Sequence, residues 1–95
     1  MLEIEDKDNI NFCNALIDFY SPTCAPCRKM MPILEELEQE SPIIFFKVNA
    51  LENPELVKRF GVQGLPTILV IKGGITEEKF IGLTSKSKIK LAIGE

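Results

Sequence analysis

Histidine and tryptophan are absent from the sequence, and cysteine occurs only three times. Two of the cysteines, Cys24 and Cys27, form a CxxC motif. A structural zinc site takes four cysteine or histidine ligands, so this composition disfavours zinc. A haem attachment motif needs histidine directly after the second cysteine, where this sequence has Arg28. An iron–sulfur cluster would lack a fourth thiolate unless two copies of the chain shared their cysteines.

The sequence also lacks an excess of positive charge and any long apolar run. Its net charge of −3 and pI near 5.0 provide no basic surface, so we expect no nucleic-acid partner. No run reaches membrane-spanning length, and the start "MLEIEDKDN" lacks the features of a secretory signal. We therefore expect a cytoplasmic protein that does not associate with membranes. Because thiols stay reduced there, the CxxC motif is expected to be redox-active or metal-binding, not a static bridge.

Length and composition favour one domain. Hydrophobic residues make up 45% of the 95 residues, which is enough for a single core. Internal repeats, low-complexity tracts and Ser/Gly linkers are absent from the sequence. We expect a single domain over residues 1–95.

Strand-like and helix-like segments alternate along the chain. Apolar or alternating runs predict strands at Leu2 to Glu5, Ala15 to Ser21, Pro42 to Ala50, Thr67 to Lys72 and Thr76 to Gly82. Helical spacing and capping residues predict helices over Ala25 to Glu40, after Asn53 and after Ser85. The pattern predicts an α/β fold, in which a mixed central sheet of four to five strands has helices on both faces. An antiparallel hairpin and a final helix are expected at the C-terminus.

Two residues outside the CxxC motif carry local predictions. Asn53 is expected to cap the second helix by accepting hydrogen bonds from its first free amides. Cys13, the third cysteine, is expected to be a small buried apolar residue near the start of the second strand.

The CxxC motif stands directly after an apolar strand and at the start of a helix. A helix that begins at or just after Cys24 leaves its first amides unpaired there, and their partial positive charge favours a thiolate. Cys24 is therefore the expected attacking sulfur. Cys27, one turn further along, lies within reach to displace a bound partner. Pro26 suits an early helical position and keeps the pair ordered.

Asp18 is a carboxyl group within an otherwise apolar predicted strand. Burial of a charged carboxylate is unfavourable, so its pKa should be raised, which suits it to take a proton from Cys27. Lys47, on the neighbouring strand, can compensate its charge. Alternation along the strand leaves a second possibility, in which Asp18 faces solvent.

The sequence resembles the thioredoxin family from Ala15 onward. The resemblance rests on the segments "IDFYSPTCAPCRKMMPILEELE", "VNALENPELVKRFGVQGLPTILVIKGG" and "FIGLTSK". It implies a protein-disulfide reductase that exchanges thiols with substrate proteins and binds no cofactor of its own. It also implies a monomer that is recharged by an NADPH-linked or ferredoxin-linked thioredoxin reductase and contributes to electron transport and cell redox homeostasis.

The resemblance further implies roles for residues around the dithiol. The Leu65–Pro66 peptide bond is expected to be cis and to face the two sulfurs. The backbone of Leu65 is then expected to bind an extended segment of the substrate protein. Substrate contacts are implied for six residues: Thr23, Ala25, Pro26, Leu65, Pro66 and Gly82.

Several positions depart from the family pattern. Thr23 and Tyr20 stand where tryptophans are usual, and Ala25 stands where glycine is usual. These departures change the contact surface more than the chemistry. The segment before Ala15 is also short, so "KDNINFCN" is expected to form only a turn or a shortened helix.

Two other functions are compatible with the same motif. A glutaredoxin-like or isomerase-like protein would use glutathione or rearrange existing disulfides with the same dithiol. An interaction module with this fold would keep its function after both cysteines were replaced.

Overall fold

Five strands and three α-helices make up most of the computed structural model, which describes residues 1–94. The strands are β1 (Leu2–Glu3), β2 (Ala15–Tyr20), β3 (Ile44–Asn49), β4 (Thr67–Lys72) and β5 (Ile75–Ile81). The helices are α1 (Ala25–Glu40), α2 (Pro54–Arg59) and α3 (Lys86–Ile93). The order confirms the predicted α/β fold with its C-terminal hairpin and final helix.

The strands form one mixed sheet in the order β1-β3-β2-β4-β5. Both β1 and β2 run parallel to β3, whereas β4 runs antiparallel to β2 and β5 antiparallel to β4. The C-terminal ends of β2 and β3 therefore lie at the same sheet edge as the start of β4. Loops at this edge hold the candidate site.

Helices cover both faces of the sheet, so the central strands are buried on both sides. Alternate residues of β2 belong to different cores, because successive side chains point to opposite faces. Leu16 packs in the core under α1 and α3, together with Leu34 and Ile89. Ile17 packs in the other core, under α2 and the segment before β2.

The first strand is shorter than predicted because a tight turn follows it. The amide of Ile4 still donates to the Lys47 carbonyl at 3.0 Å, but Glu5 then begins a 3-10 helix over Asp6–Asp8. This single turn confirms the expectation of a shortened helix before β2. It also brings the side chain of Asp6 close to α2.

The N-terminus of α2 is capped differently from the prediction, because the side chain of Asp6, and not that of Asn53, accepts the hydrogen bonds of its first amides. Both carboxylate oxygens of Asp6 accept hydrogen bonds from the first turn of α2, from the amides of Glu55 at 3.1 Å and Leu56 at 2.8 Å. The side chain of Asn53 instead donates to the Asn49 carbonyl at 2.9 Å and accepts from the Asp6 amide at 2.9 Å. A carboxylate is also the better partner for the positive end of a helix.

Cys13 is exposed, so the prediction of a buried residue is wrong. Its neighbour Phe12 points into the core, where its ring lies 5.2 Å from that of Phe46 and 5.8 Å from that of Phe60. The Cys13 carbonyl accepts a hydrogen bond from Gly74 at 2.9 Å. Because this bond fixes the backbone and Phe12 takes the inner position, the side chain of Cys13 faces outward.

Replacement of Asp6 by alanine removes the acceptors of two α2 amides. We expect Asp6→Ala to lower the free energy of unfolding of the oxidised protein by about 1–2 kcal/mol. Urea denaturation followed by circular dichroism measures the change. Asp6→Asn keeps one acceptor without the charge and should lose less. Equal stability of Asp6→Ala and the natural chain would show that Asp6 does not cap α2.

Candidate redox site

The CxxC motif lies where the chain passes from β2 into α1. Cys24 is the N-cap of α1, and its Sγ accepts a hydrogen bond from the Cys27 amide at 3.2 Å. The Cys24 amide donates to the Ser21 carbonyl at 3.2 Å, and the Cys24 carbonyl accepts from Arg28 at 3.2 Å. Pro26 lies in the first turn, where it has no helical partner to lose. These contacts hold the Cys24 sulfur at the positive end of the helix.

The two cysteines form a disulfide, and they differ sharply in exposure. Their Cα atoms are 5.2 Å apart, within the usual range for a disulfide. Cys24 is half-buried, whereas Cys27 is only 1% exposed. A second protein can therefore approach the outer sulfur of Cys24 but not the inner sulfur of Cys27.

Asp18 is fully buried on β2, which excludes the alternative of a solvent-facing carboxyl. Neither of its carboxylate oxygens has a hydrogen-bond partner among the described residues 1–94. Burial raises the pKa of Asp18 from 3.8 to about 7, and the positive charge of Lys47 partly opposes the increase. Asp18 shares a sheet face with Leu16, two residues earlier, so it lies on the face that α1 covers. Cys27 is buried in the first turn of that helix.

Lys47 is the register partner of Asp18 on β3, as the sequence predicts for neighbouring strands. Its ammonium nevertheless lies 3.9 Å from a carboxylate oxygen of Glu3, and 6.0 Å from the centre of the Tyr20 ring. The hydroxyl of Tyr20 donates to the other oxygen of Glu3 at 2.6 Å. Burial and the adjacent Glu3 carboxylate raise the pKa of Tyr20. The Lys47 ammonium therefore pairs with the exposed Glu3, while its charge still acts on the buried Asp18.

The Leu65–Pro66 turn lies at the same sheet edge as the CxxC motif. Its peptide bond is cis, which confirms the prediction. Thr67, the next residue, pairs with Phe19 near the end of β2. The Pro66 carbonyl accepts a hydrogen bond from Gly82 at 2.9 Å, which ties this turn to the end of β5. Three segments that are far apart in sequence thus meet at one edge.

Comparison with known proteins identifies the family. Residues 5–95 match the family model described as Thioredoxin. The chain belongs to the thioredoxin family. It is 35% identical to Thioredoxin 2 of Chlorobaculum tepidum, over 98% of this chain and 84% of the relative. It is 34% identical to a thioredoxin of Alicyclobacillus acidocaldarius, over 84% of this chain and 78% of the relative.

Solved thioredoxin structures agree with this assignment. A mutant thioredoxin from Halobacterium salinarum superposes with a TM-score of 0.86 at 28% identity, over 97% of this chain and 86% of that one. Oxidised mitochondrial Thioredoxin 3 from Saccharomyces cerevisiae superposes with a TM-score of 0.86 at 27% identity, over 98% of this chain and 92% of that one. Thioredoxins are disulfide oxidoreductases, and this chain has the required cysteine pair in a disulfide. Its activity is dithiol–disulfide exchange with proteins.

The residues expected to contact substrates differ in exposure. Thr23, Ala25 and Pro26 are exposed beside the disulfide, Leu65 and Gly82 are half-buried, and Pro66 is buried. Sequence reasoning did not single out Ile81 and Leu83, which flank Gly82 and are 63% and 58% exposed. Their place on either side of a predicted site glycine is the signal that would have identified them. All eight residues belong to segments that meet at the sheet edge where β2 and β5 end and β4 begins, and we call this set the apolar rim.

A cleft of about 270 Å³ beside the disulfide was also missed. It is lined by Tyr20, Ser21, Pro22, Cys27, Arg28 and Met31. The Arg28 side chain donates to the Pro22 carbonyl at 3.0 Å, so its charge is held at the edge of the cleft. The available signal was Tyr20, which lines the cleft and stands where tryptophan is usual in the family.

Within residues 1–94, no three His, Cys, Asp or Glu side chains come together in a group that could hold a metal ion. None of the helices in this range is long and apolar enough to cross a membrane.

The raised pKa of Asp18 makes the stability of the fold depend on pH. The folded state binds the Asp18 proton more tightly than the unfolded state, because the pKa is about 7 in the fold and 3.8 normally. This contribution to stability is complete below pH 3.8 and is lost as the pH rises through about 7.

Asp18→Asn removes the titrating group, so the variant should be more stable than the natural chain at alkaline pH. Between about pH 5 and pH 8, the difference in free energy of unfolding should grow by about 2–3 kcal/mol in favour of the variant. Urea denaturation of the oxidised proteins at both values measures it. Glu77→Gln, which alters an exposed carboxylate on β5, is the matched control and should show no such trend. If the difference in free energy of unfolding between Asp18→Asn and the natural chain does not change with pH, Asp18 is not a buried group with a raised pKa.

Proposed function

We propose that this protein reduces disulfides of other proteins in two exchange steps that use Cys24 and then Cys27. The Cys24 thiolate attacks a substrate disulfide, forms a mixed disulfide and releases one substrate sulfur as a thiolate, which takes up a proton. The Cys27 thiolate then attacks the Cys24 sulfur, and the second substrate thiolate leaves. Two electrons have passed to the substrate, and the protein holds the Cys24–Cys27 disulfide. The accessible outer sulfur and enclosed inner sulfur are the observation that carries this proposal.

In this proposal, Asp18 accepts the proton of Cys27 before the second step. The carboxyl is buried on the sheet face that α1 covers, and Cys27 is buried in the first turn of that helix. Among residues 1–94, nothing donates a hydrogen bond to either carboxylate oxygen. A pKa of about 7 suits a group that exchanges a proton near neutral pH. Lys47, beside it on β3, supplies a positive charge that limits the cost of ionisation.

We propose the apolar rim as the surface that receives the substrate. An extended substrate segment would pair with the backbone of Leu65 and lie against Pro66 and Gly82, while Thr23, Ala25 and Pro26 flank its cysteine. The half-buried Leu65 and the exposed Ile81 and Leu83 support this placement, because apolar side chains at an edge favour docking of an extended chain.

The oxidised protein must be reduced again after each cycle. Members of this family receive electrons from a reductase, and we propose a thioredoxin reductase linked to NADPH or to ferredoxin for this chain. The electrons are carried by the two sulfurs, so the cycle requires no cofactor bound to the chain itself. We further propose that the protein acts as a monomer in the cytoplasm, where reducing conditions maintain the dithiol, and that it serves electron transport and cell redox homeostasis.

Insulin reduction tests the activity directly. The assay should use a Cys13→Ser background, because the exposed Cys13 could form disulfides of its own. We expect the reduced protein to accelerate precipitation of the insulin B chain beyond the rate with dithiothreitol alone. Cys24→Ser should abolish the acceleration because it removes the attacking sulfur. No acceleration by the Cys13→Ser protein would contradict the proposed function.

The order of attack can be tested by trapping the mixed disulfide. Cys27→Ser leaves the attacking sulfur but removes the resolving one, so it should accumulate a covalent complex with an oxidised substrate protein. Cys24→Ser is the matched control and should accumulate little. Non-reducing electrophoresis and mass spectrometry measure both complexes. Equal trapping by the two variants, or trapping only by Cys24→Ser, is the outcome that contradicts the assigned roles.

A further inference from the structure

Charged residues from three neighbouring strands form a row on the sheet face under α1. Glu3 on β1 pairs with Lys47 on β3, and Lys47 pairs with Asp18 on β2. Register partners in parallel strands point to the same side, so the row carries negative, positive and negative charge in that order. The outer carboxylate is partly exposed and the inner one is fully buried.

The ammonium of Lys47 is bound towards the outer end of this row. It lies 3.9 Å from Glu3, whereas Asp18 has no hydrogen-bond partner and forms no ion pair with any residue in the described range 1–94. The 2.6 Å hydrogen bond from Tyr20 fixes the Glu3 carboxylate, and the ammonium also lies over the Tyr20 ring at 6.0 Å. Glu3 and Tyr20 together thus hold a charge that Asp18 would otherwise attract.

We propose that Glu3 is a positioning residue for the exchange reaction: it holds the Lys47 ammonium away from Asp18 and so leaves that carboxyl free to exchange a proton with Cys27. Tyr20 assists by orienting Glu3. This inference rests on the proposed role of Asp18, and it assigns a task to the short β1 strand, whose side chains are exposed.

The physical basis is the competition of two carboxylates for one cation. An opposite charge within about 4–6 Å lowers the pKa of a carboxyl group by about 1–3 units. If Lys47 paired directly with Asp18, the ionised form would be stabilised and Asp18 would become a weaker base. Among the described residues, Asp18 has Lys47 on β3 and the apolar Ile68 on β4 as register partners, and Tyr20 lies two residues along its own strand. Glu3 lies beyond Lys47 on β1, and Cys27 is a buried residue of α1, the helix that covers this face.

Titration of Asp18 in the oxidised protein tests the proposal, because the disulfide removes the two thiols from the titration. Carbon-13 NMR of the Asp18 carboxyl gives the midpoint. Glu3→Gln should lower this midpoint by about one pH unit, since Lys47 is then free to pair with Asp18. Tyr20→Phe removes no charge at neutral pH and should lower it by a smaller amount. Glu5→Gln, which alters an exposed carboxylate next to Lys7, is the matched control and should leave it unchanged.

A double variant separates positioning from a direct effect of charge. In a Lys47→Met background no ammonium remains to be positioned, so adding Glu3→Gln should not move the Asp18 midpoint further. The proposal is overturned if Glu3→Gln leaves the midpoint unchanged in the natural background. It is also overturned if the shift persists at full size without Lys47, because Glu3 would then act through its own charge.

The insulin assay distinguishes a failure of the role of Glu3 from a failure of the proposed function. In the Cys13→Ser background, the pH profile of insulin reduction by Glu3→Gln should move to lower pH, following the Asp18 midpoint. If the parent protein fails to reduce insulin, the proposed function fails whatever the titration shows. If the parent is active and neither the midpoint nor the profile of Glu3→Gln moves, only the role of Glu3 is refuted.

Discussion

The hydrogen bond from the Cys27 amide to the Cys24 sulfur is the contact on which the rest of the site depends. It forms because β2 ends at Tyr20 and α1 begins at Ala25, which leaves Cys24 as the N-cap. The same geometry turns one sulfur outward and encloses the other in the first turn of the helix. Attack and resolution require that asymmetry, since a substrate must reach one sulfur while the other waits for the mixed disulfide.

On the sheet face below this junction, the carboxyl group of Asp18 is fully buried, and burial disfavours its charged form. Asp18 has no hydrogen-bond partner in the part of the chain that the structure describes, which costs stability at neutral and alkaline pH. An apolar residue would pack there more favourably. Such a cost is typical of functional sites, where the strength of an acid or base matters more than stability. The arrangement of Glu3 and Lys47 fits the same principle, because it places compensating charge nearby without forming a direct ion pair.

Patterns that reflect local physics were predicted well from the sequence. The bounds of α1 follow from apolar spacing and the CxxC motif, and those of β4 follow from a continuous apolar run. Features that join distant segments were missed. Asp6 reaches α2 across a separation of 50 residues, and no local signal distinguishes it from other N-terminal acids. The exposure of Cys13 depends on which neighbour enters the core, and the role of Glu3 depends on the strand order.

Alkylation of the reduced Cys13→Ser protein tests the central asymmetry most directly. Limiting iodoacetamide at neutral pH, followed by peptide mass spectrometry, gives the rate at each sulfur. The account predicts that Cys24 reacts at least about tenfold faster than Cys27, because only Cys24 is both accessible and at the positive end of α1. Equal rates at the two sulfurs, or a faster reaction at Cys27, would contradict it.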